Sequence, residues 1–277
     1  MSDFSGYGYR AMAVIGLMLP YTMNATETAP WYPRAFEIRP CAEYQYQYFR
    51  KVNSGHHDFS YLSHDSFLNL NIGVPYYNWY GECELLFAGT RHRSFGYDSF
   101  RLTARYQILD DVSGDDNFSV IPGLTLITAP KIAVHDIGSF HHGKLEGEAF
   151  ISAGKEFSCK EYWTSRFWGI LGVGTADVGS PWIRFNINWE RNYWDVYSWG
   201  VFVNTLWGLG GDRLSSPHHF RGYGPIQHQT IDLGAIFHYA FEFGGEATIK
   251  YAYRVYAKNF PENANLITIR FCYPFGL

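Results

Sequence analysis

Phe36-Glu37-Ile38-Arg39-Pro40-Cys41-Ala42-Glu43-Tyr44-Gln45-Tyr46-Gln47-Tyr48-Phe49 alternates without a break. Phe36, Ile38, Pro40, Ala42, Tyr44, Tyr46 and Tyr48 fall on one face, and Glu37, Arg39, Cys41, Glu43, Gln45 and Gln47 on the other. Side chains two apart share a face of a strand, so this stretch is a β-strand, well beyond the usual length of about five or six residues. The pattern returns in Ile183, Phe185, Ile187 and Trp189 against Arg184, Asn186, Asn188 and Glu190. It returns again in Ile231, Leu233, Ala235, Phe237, Tyr239, Phe241 and Phe243 against Asp232, His238 and Glu242, and in Ala247, Ile249, Tyr251, Tyr253 and Val255 against Lys250 and Arg254.

Filling in between these anchors predicts twelve strands, at 36–49, 64–74, 76–89, 96–109, 118–128, 144–153, 159–173, 181–190, 193–207, 229–243, 246–257 and 266–277. The fifth is weakened by Pro122, which cannot donate a ladder hydrogen bond. Connections alternate in length. Longer ones at 50–63, 90–95, 129–143, 174–180, 208–228 and 258–265 alternate with mostly tight ones near Pro75, 110–117, 154–158, 191–192 and Gly244-Gly245. One end of the sheet therefore carries the loops and the other the turns, an asymmetry of membrane barrels.

Composition agrees. The 277 residues include 22 Phe, 22 Tyr and 9 Trp, and 22 basic side chains against 26 acidic ones leave a formal charge of −4, which argues against a nucleic-acid groove. The N-terminus reads as a secretory signal, 1–25: Arg10, the apolar run Ala11 to Leu19, Pro20, then Met23-Asn24-Ala25, with cleavage after Ala25 or alternatively Ala29. A buried N-terminal helix or strand is the competing account. The run is about half the ~20 residues a spanning helix needs, so any spanning is done by strands. The barrel domain is then 26–277.

Alternation does not say which face looks outward. Twelve strands enclose more space than an apolar core can pack, which favours a polar inside. The inward set by parity is Glu37, Arg39, Glu43, Glu82, Glu84, Arg101, Arg105, Glu146, Glu148, Arg166, Arg184, Glu190, Asp232, His238, Glu242, Lys250, Arg254 and Arg270. The middles of the apolar faces carry no charge, as a lipid-facing surface demands, where a mid-depth Arg or Lys costs about 2–4 kcal/mol. A soluble sandwich also keeps charge off its core, but leaves the strand lengths and loop asymmetry unexplained.

The last residues place Ile267, Ile269, Phe271, Tyr273, Phe275 and Leu277 at alternating positions to the chain's end. Here the chain resembles Gram-negative outer-membrane β-barrel proteins, whose final strand carries alternating hydrophobics, usually ends in an aromatic residue and is read by the barrel assembly machinery. This one ends in Leu277, with Phe275 two places earlier. The resemblance implies an all-β, closed, antiparallel, up-and-down transmembrane barrel in the cell outer membrane, with long loops extracellular and both mature termini periplasmic. Its implied partners are outer-membrane lipids, lipopolysaccharide and the assembly machinery.

The inward charges nearly cancel, and in a low-dielectric wall they are expected to pair. A paired wall is compatible with a water-filled axis, hence a porin-like channel for small polar solutes with weak charge selectivity. Arg101, Arg105, Arg166 and Arg184 form a candidate basic stripe opposed by Glu82, Glu84, Glu146 and Glu148, simple pairing across the wall being the alternative. Ten histidines map to the long-loop end, and only His238 faces the mid-lumen. Rim candidates for zinc or copper are His56, His57, His141, His142, His218 and His219, against solvated loop histidines that titrate near pH 6.5. No cofactor is expected. Cys41 and Cys272, near the outer ends of the first and last strands and both inward, are expected to bond across the closure seam, whereas Cys83 and Cys159 are too far apart.

Two other functions stay open. Some twelve-stranded outer-membrane proteins are lipid hydrolases, namely a phospholipase A and a lipid A deacylase. Ser139 with His141 or His142, Ser215 or Ser216 with His218, and His64 with Asp65 and Ser66 are the candidate pairs for such chemistry. The third is a structural or adhesive surface barrel.

Overall fold

The structure, a computed structural model, describes residues 28–276 except 34, 56, 115, 160 and 161. The expected signal segment 1–25, His56 and Leu277 lie outside the described residues. Eleven long strands run in chain order: β1 Glu37–Asn53, β2 Asp58–Tyr76, β3 Trp79–Gly89, β4 Gly96–Tyr106, β5 Ser119–Thr128, β6 Leu145–Cys159, β7 Tyr162–Ala176, β8 Trp182–Tyr193, β9 Tyr197–Gly208, β10 Gln229–Ala240 and β11 Glu246–Lys258. A closing strand, Asn265–Cys272, is the twelfth. Each pairs antiparallel with the next, and β1 pairs with both β2 and the closing strand, so the sheet shuts on itself. Short pieces at Pro261–Glu262 and Phe275–Gly276 add bonds to the two ends of β1.

The faces divide as the alternation demands. Tyr44 is 47% exposed while Glu43 beside it is 0% exposed. Leu70, Leu85, Leu102, Leu126, Leu171, Val201, Leu233, Ile249 and Ile269 point outward, and Gln45, Gln47, Asn69, Asn71, Thr103, Asn186 and Thr268 are buried inside. An apolar exterior around a polar interior suits a hydrocarbon surround, where a closed ladder leaves no strand edge unpaired.

Several boundaries differ from the sequence pattern. β1 and β2 run to 17 and 19 residues, so their connection is 54–57 rather than 50–63. A register shift between Phe49 and Lys51 flips the parity there, and the simple alternation stops being visible although the strand continues. β6 runs through Cys159, past the turn expected at 154–158, and the 107–118 connection is a long excursion rather than a tight turn. The closing strand stops at Cys272, short of 277, because Pro274 cannot join the ladder. Glu242 is not a lumen residue: β10 ends at Ala240, and Glu242 is exposed in the turn beyond it. β5 tolerates Pro122 where its pairing with β4 ends, at Arg105 opposite Gly123.

Cys41 and Cys272 are direct partners in the seam register and are bonded, S–S 2.08 Å, Cα–Cα 4.2 Å, across a sequence separation of 231. A bridge closing so long a loop removes denatured-state entropy worth about 5 kcal/mol in the chain-entropy account. Cys83, outward on β3, and Cys159, exposed at the end of β6, are free. Thiol titration of denatured, unreduced protein should therefore find two thiols, and reduction should lower the thermal midpoint; four thiols would show that the seam is unstapled.

Candidate functional site

Parity turns one side chain in two toward the lumen, and the pairing register decides which charges meet. Glu84 stands opposite Arg101 on the neighbouring strand and lies 3.5 Å from it. Arg184 on β8 donates from Nε to both oxygens of Glu148 on β6, at 3.1 and 3.2 Å. Arg254 on β11 donates to Asp232 on β10 at 2.8 and 3.1 Å. Arg166 pairs with Glu156 at 2.6 Å, Arg39 pairs with Glu246, and His238 lies 3.2 Å from Glu190 and 2.8 Å from Thr248. Glu43 faces Arg270 across the seam register. The arginines thus meet carboxylates mostly on neighbouring strands, as a paired wall. Of the candidate stripe, Arg105 instead donates to the Ala29 carbonyl at 3.1 Å and lies against the rings of Tyr32 and Tyr80.

Cavities among the described residues sit in this lumen. One of about 140 Å³ is lined by Arg101, His141, His142, Glu146, Glu148, Trp182 and Arg184, and one of about 90 Å³ by Asn186, Asn204, Thr230, Asp232, Arg254 and Phe260. Phe140, Arg184 and Leu206 line both. Phe140 is carried there by the 129–144 connection, which opens with a short helix, α1 (Lys131–Val134), and folds inward, so that Ile137, Ser139, His141 and His142 are buried. Its backbone stands at φ 56°, a left-handed conformation that costs a bulky side chain strain.

Above the cavities, the long-loop mouth is covered. Ile137, Leu214, Phe220, Tyr223, Ile226 and Phe260 from three connections pack on Phe49, Val52 and Tyr61 of β1 and β2. Beneath this apolar cover lies a polar chain. His141 Nε2 is 2.9 Å from Asp98 and Nδ1 3.1 Å from Glu146. The His142 N–H donates to Glu146 at 2.9 Å, and its ring lies 3.7 Å from Trp182 in a stack and shares a 3.2 Å nitrogen-to-nitrogen hydrogen bond with His228. Arg93 pairs with Asp98 and with Asp136 at 3.4 Å. The Tyr223 and Gly224 N–H groups donate to the His141 and His142 carbonyls, joining the 129–144 and 209–228 connections.

At the turn end, residues before β1 enter the mouth. The Thr28 carbonyl accepts from Ser152 at 2.7 Å, Trp31 donates to Asp111 at 2.9 Å and packs edge-on against Trp168, and Tyr32 stacks on Tyr80. Burial alone would raise the Asp111 carboxyl, but hydrogen bonds from Ser119, Trp31 and the Glu156 N–H hold it below the usual range. A cavity of about 610 Å³ opens between this strap and the 107–118 excursion.

Among the described rim histidine candidates, only His141 and His142 share a partner, Glu146. His141 and His142 are buried, as is His228, so solvated imidazoles do not describe them. His57 packs on Phe59, and His218 and His219 lie in a short 3-10 turn, Pro217–His219. Among the described residues no three His, Cys, Asp or Glu side chains converge in a metal-binding arrangement. The serine-histidine candidates are not aligned either. Ser139 bonds Arg93 and Asp136, Ser216 accepts from the His218 backbone, and His64 faces outward while Asp65 faces inward. Arg93, Asp98, Trp182 and Trp31 carry no mark in the sequence pattern, and His228 stands in it only as one of the ten histidines at the long-loop end; Asp98 and Ser99 are both buried beside a bulge between Leu86 and Phe87, which hides their parity.

The loop histidines are held in opposite protonation states. Burial alone would push the His141 imidazole down, but flanking Asp98 and Glu146 outweigh it and hold it at about 10. Burial, together with neighbouring His142, pushes His228 down to about 3. The His141 contribution to stability is full below the ordinary pKa of about 6.5 and is lost as pH rises toward about 10. The His228 contribution is full above about 6.5 and is lost as pH falls toward about 3. Thermal midpoints in detergent should therefore peak near neutrality; His141→Gln should flatten the alkaline limb, and His228→Gln the acid one.

No protein-family profile matches the sequence, and no curated protein matches it. In three dimensions the chain is similar to an outer-membrane channel from Pseudomonas putida F1, TM-score 0.67 at 10% identity, over 92% of this chain and 100% of that one. It is similar to the NanC porin, TM-score 0.52 at 10% identity over 86% and 99%, and to the KdgM porin, TM-score 0.50 at 10% identity over 85% and 99%. At such identity the likeness shows the fold: this chain has the closed β-barrel architecture of outer-membrane porins and channels.

Proposed function

We propose that the chain is a channel of the cell outer membrane that passes small polar solutes with weak charge preference, its long loops extracellular and both mature termini periplasmic. The observation that carries this is the polar lumen whose charges are matched in pairs, Arg184 with Glu148, Arg254 with Asp232 and Arg101 with Glu84. A matched wall has no net field along the axis, so neither ion sign is favoured, while its hydrogen-bonding groups receive hydrophilic solutes. Outer-membrane lipids and lipopolysaccharide surround it, and the alternating closing strand is the segment offered to the assembly machinery.

Phe140 is the group that conduction must displace, since it lines both lumen cavities and stacks on Phe260 at 4.8 Å. The apolar cover over the long-loop mouth favours a second reading, a closed surface barrel. Recordings in a planar bilayer separate the two. Stepwise openings with a cation-to-anion permeability ratio near one are expected, with longer openings in Phe140→Gly, where glycine adopts the same backbone freely. Glu148→Gln should leave Arg184 unmatched and turn the preference toward anions. A silent bilayer favours the closed barrel, strong native selectivity removes the matched-wall argument, and fatty acid released from phospholipid or lipid A in a parallel assay would replace the channel with a hydrolase.

A further inference from the structure

The pairing register sets four lumen side chains of neighbouring strands at one level. Asn186 on β8 stands directly opposite Asn204 on β9, Asn204 opposite Asp232 on β10, and Asp232 opposite Arg254 on β11. Adjacent strands lie about 4.8 Å apart, so the row is a shelf about 14 Å wide along the inner wall. All four line the lumen cavity of about 90 Å³, together with Thr230, Phe140 and Phe260. Two amides, a carboxylate and a guanidinium thus share one small space with aromatic carbon.

The charged half of this row is satisfied. Arg254 donates from two nitrogens to the two oxygens of Asp232, donates from the third to the Pro261 carbonyl at 3.2 Å, and lies 4.7 Å from the Phe260 ring. A charged solute docking here has to break that pair and leave one buried partner unmatched, which costs more than the new contact returns. The amide half is not satisfied. Asn186 is 3% exposed, and its Oδ1 meets no hydrogen-bond partner among the described residues. A buried acceptor without a partner is unfavourable, so the shelf favours a solute that brings it a hydroxyl. Amides both donate and accept, as hydroxyls do, and each Asp232 oxygen keeps a lone pair beyond the one that Arg254 uses. Aromatic carbon beside hydrogen-bonding amides fits a ring whose faces are C–H and whose rim is hydroxyl.

We infer that the row Asn186, Asn204, Asp232 and Arg254 is a binding station for an uncharged, polyhydroxylated solute of the monosaccharide class. Asn186 and Asn204 exchange hydrogen bonds with adjacent hydroxyls, Asp232 accepts one more, and Phe140 and Phe260 take the C–H face of the ring. The station selects by hydroxyl groups and not by charge, and it rests on the reading of the chain as a channel for small polar solutes.

The test is calorimetric titration of D-glucose into full-length, detergent-solubilised protein, with planar-bilayer conductance in potassium chloride recorded separately on the same preparation. Saturable binding is expected. Cyclohexanol, a six-membered ring with one hydroxyl, and D-glucuronate, a sugar ring with a carboxylate, should both bind more weakly than glucose. Asn186→Leu and Asn204→Leu should each weaken glucose binding roughly fivefold, the loss expected for one hydrogen bond, with heat-modifiable migration showing that each variant is folded. Thr125→Val, in the lumen on β5 and away from the row, should not change it. A chain that conducts but binds no glucose, binds it equally well in the double variant, or binds glucuronate as tightly, overturns the station and leaves the channel intact. A silent bilayer with Asn186-dependent glucose binding keeps the site and overturns passage through it, and a chain that neither conducts nor binds overturns both.

Discussion

Every backbone N–H and C=O in a hydrocarbon layer must find its partner within the protein, and the closed ladder between β1 and the closing strand meets that demand. Most of the molecule is a result of this. Closure fixes which side chains face in, and parity then sorts the aromatic and aliphatic residues outward and the amides, carboxylates and guanidiniums inward. The Cys41–Cys272 bridge stands in this same ladder, where the chain's distant ends become neighbours.

An inward polar face bears its own cost, because a lone charge beside a low-dielectric wall is expensive. The structure answers by placing opposite charges on adjoining or nearby strands, as Arg254 with Asp232 and Arg184 with Glu148. The ends are handled differently. Toward the long loops, aromatic and aliphatic groups carried by three connections cover the lumen, and beneath them Asp98, His141, Glu146, His142 and His228 form a continuous hydrogen-bonded chain. Toward the turns, Trp31 and Tyr32 lie against Trp168 and Tyr80.

How much of this is legible in the sequence depends on whether a feature is periodic. The barrel, its strand count and its polar interior rest on alternation, which survives in β1, β8, β10 and β11 without any knowledge of contacts. Arg184 and Arg254 could be assigned to the lumen by parity alone, but their partners could not, since pairing depends on register between strands and on side-chain reach. The bulges after Phe49 and Leu86 break the alternation locally, and this is why the upper parts of β1 and β2 read as a loop and why Asp98 went unnoticed. His141 and His142 read as exposed because loops are usually wet. Their burial comes from the inward fold of 129–144, built on long-range contacts with Tyr223, Phe260 and His228 that leave no local pattern.

The strap at Thr28–Pro33 carries a consequence for the order of assembly. Its contacts are Tyr80 on β3, Arg105 on β4, Ser152 on β6, Arg166 and Trp168 on β7, and Asp111 between β4 and β5. A flat, half-built sheet would hold these groups apart along its width, and only the curved wall brings them around one short segment. Seating of the strap is therefore a late event that reports the completed arc from β3 to β7. The disulfide fastens a different arc, where β1 meets the closing strand. The nascent barrel thus has two fasteners on separate stretches of its circumference, one covalent at the seam and one aromatic at the mouth, and each can form only after the strands around it have found their neighbours.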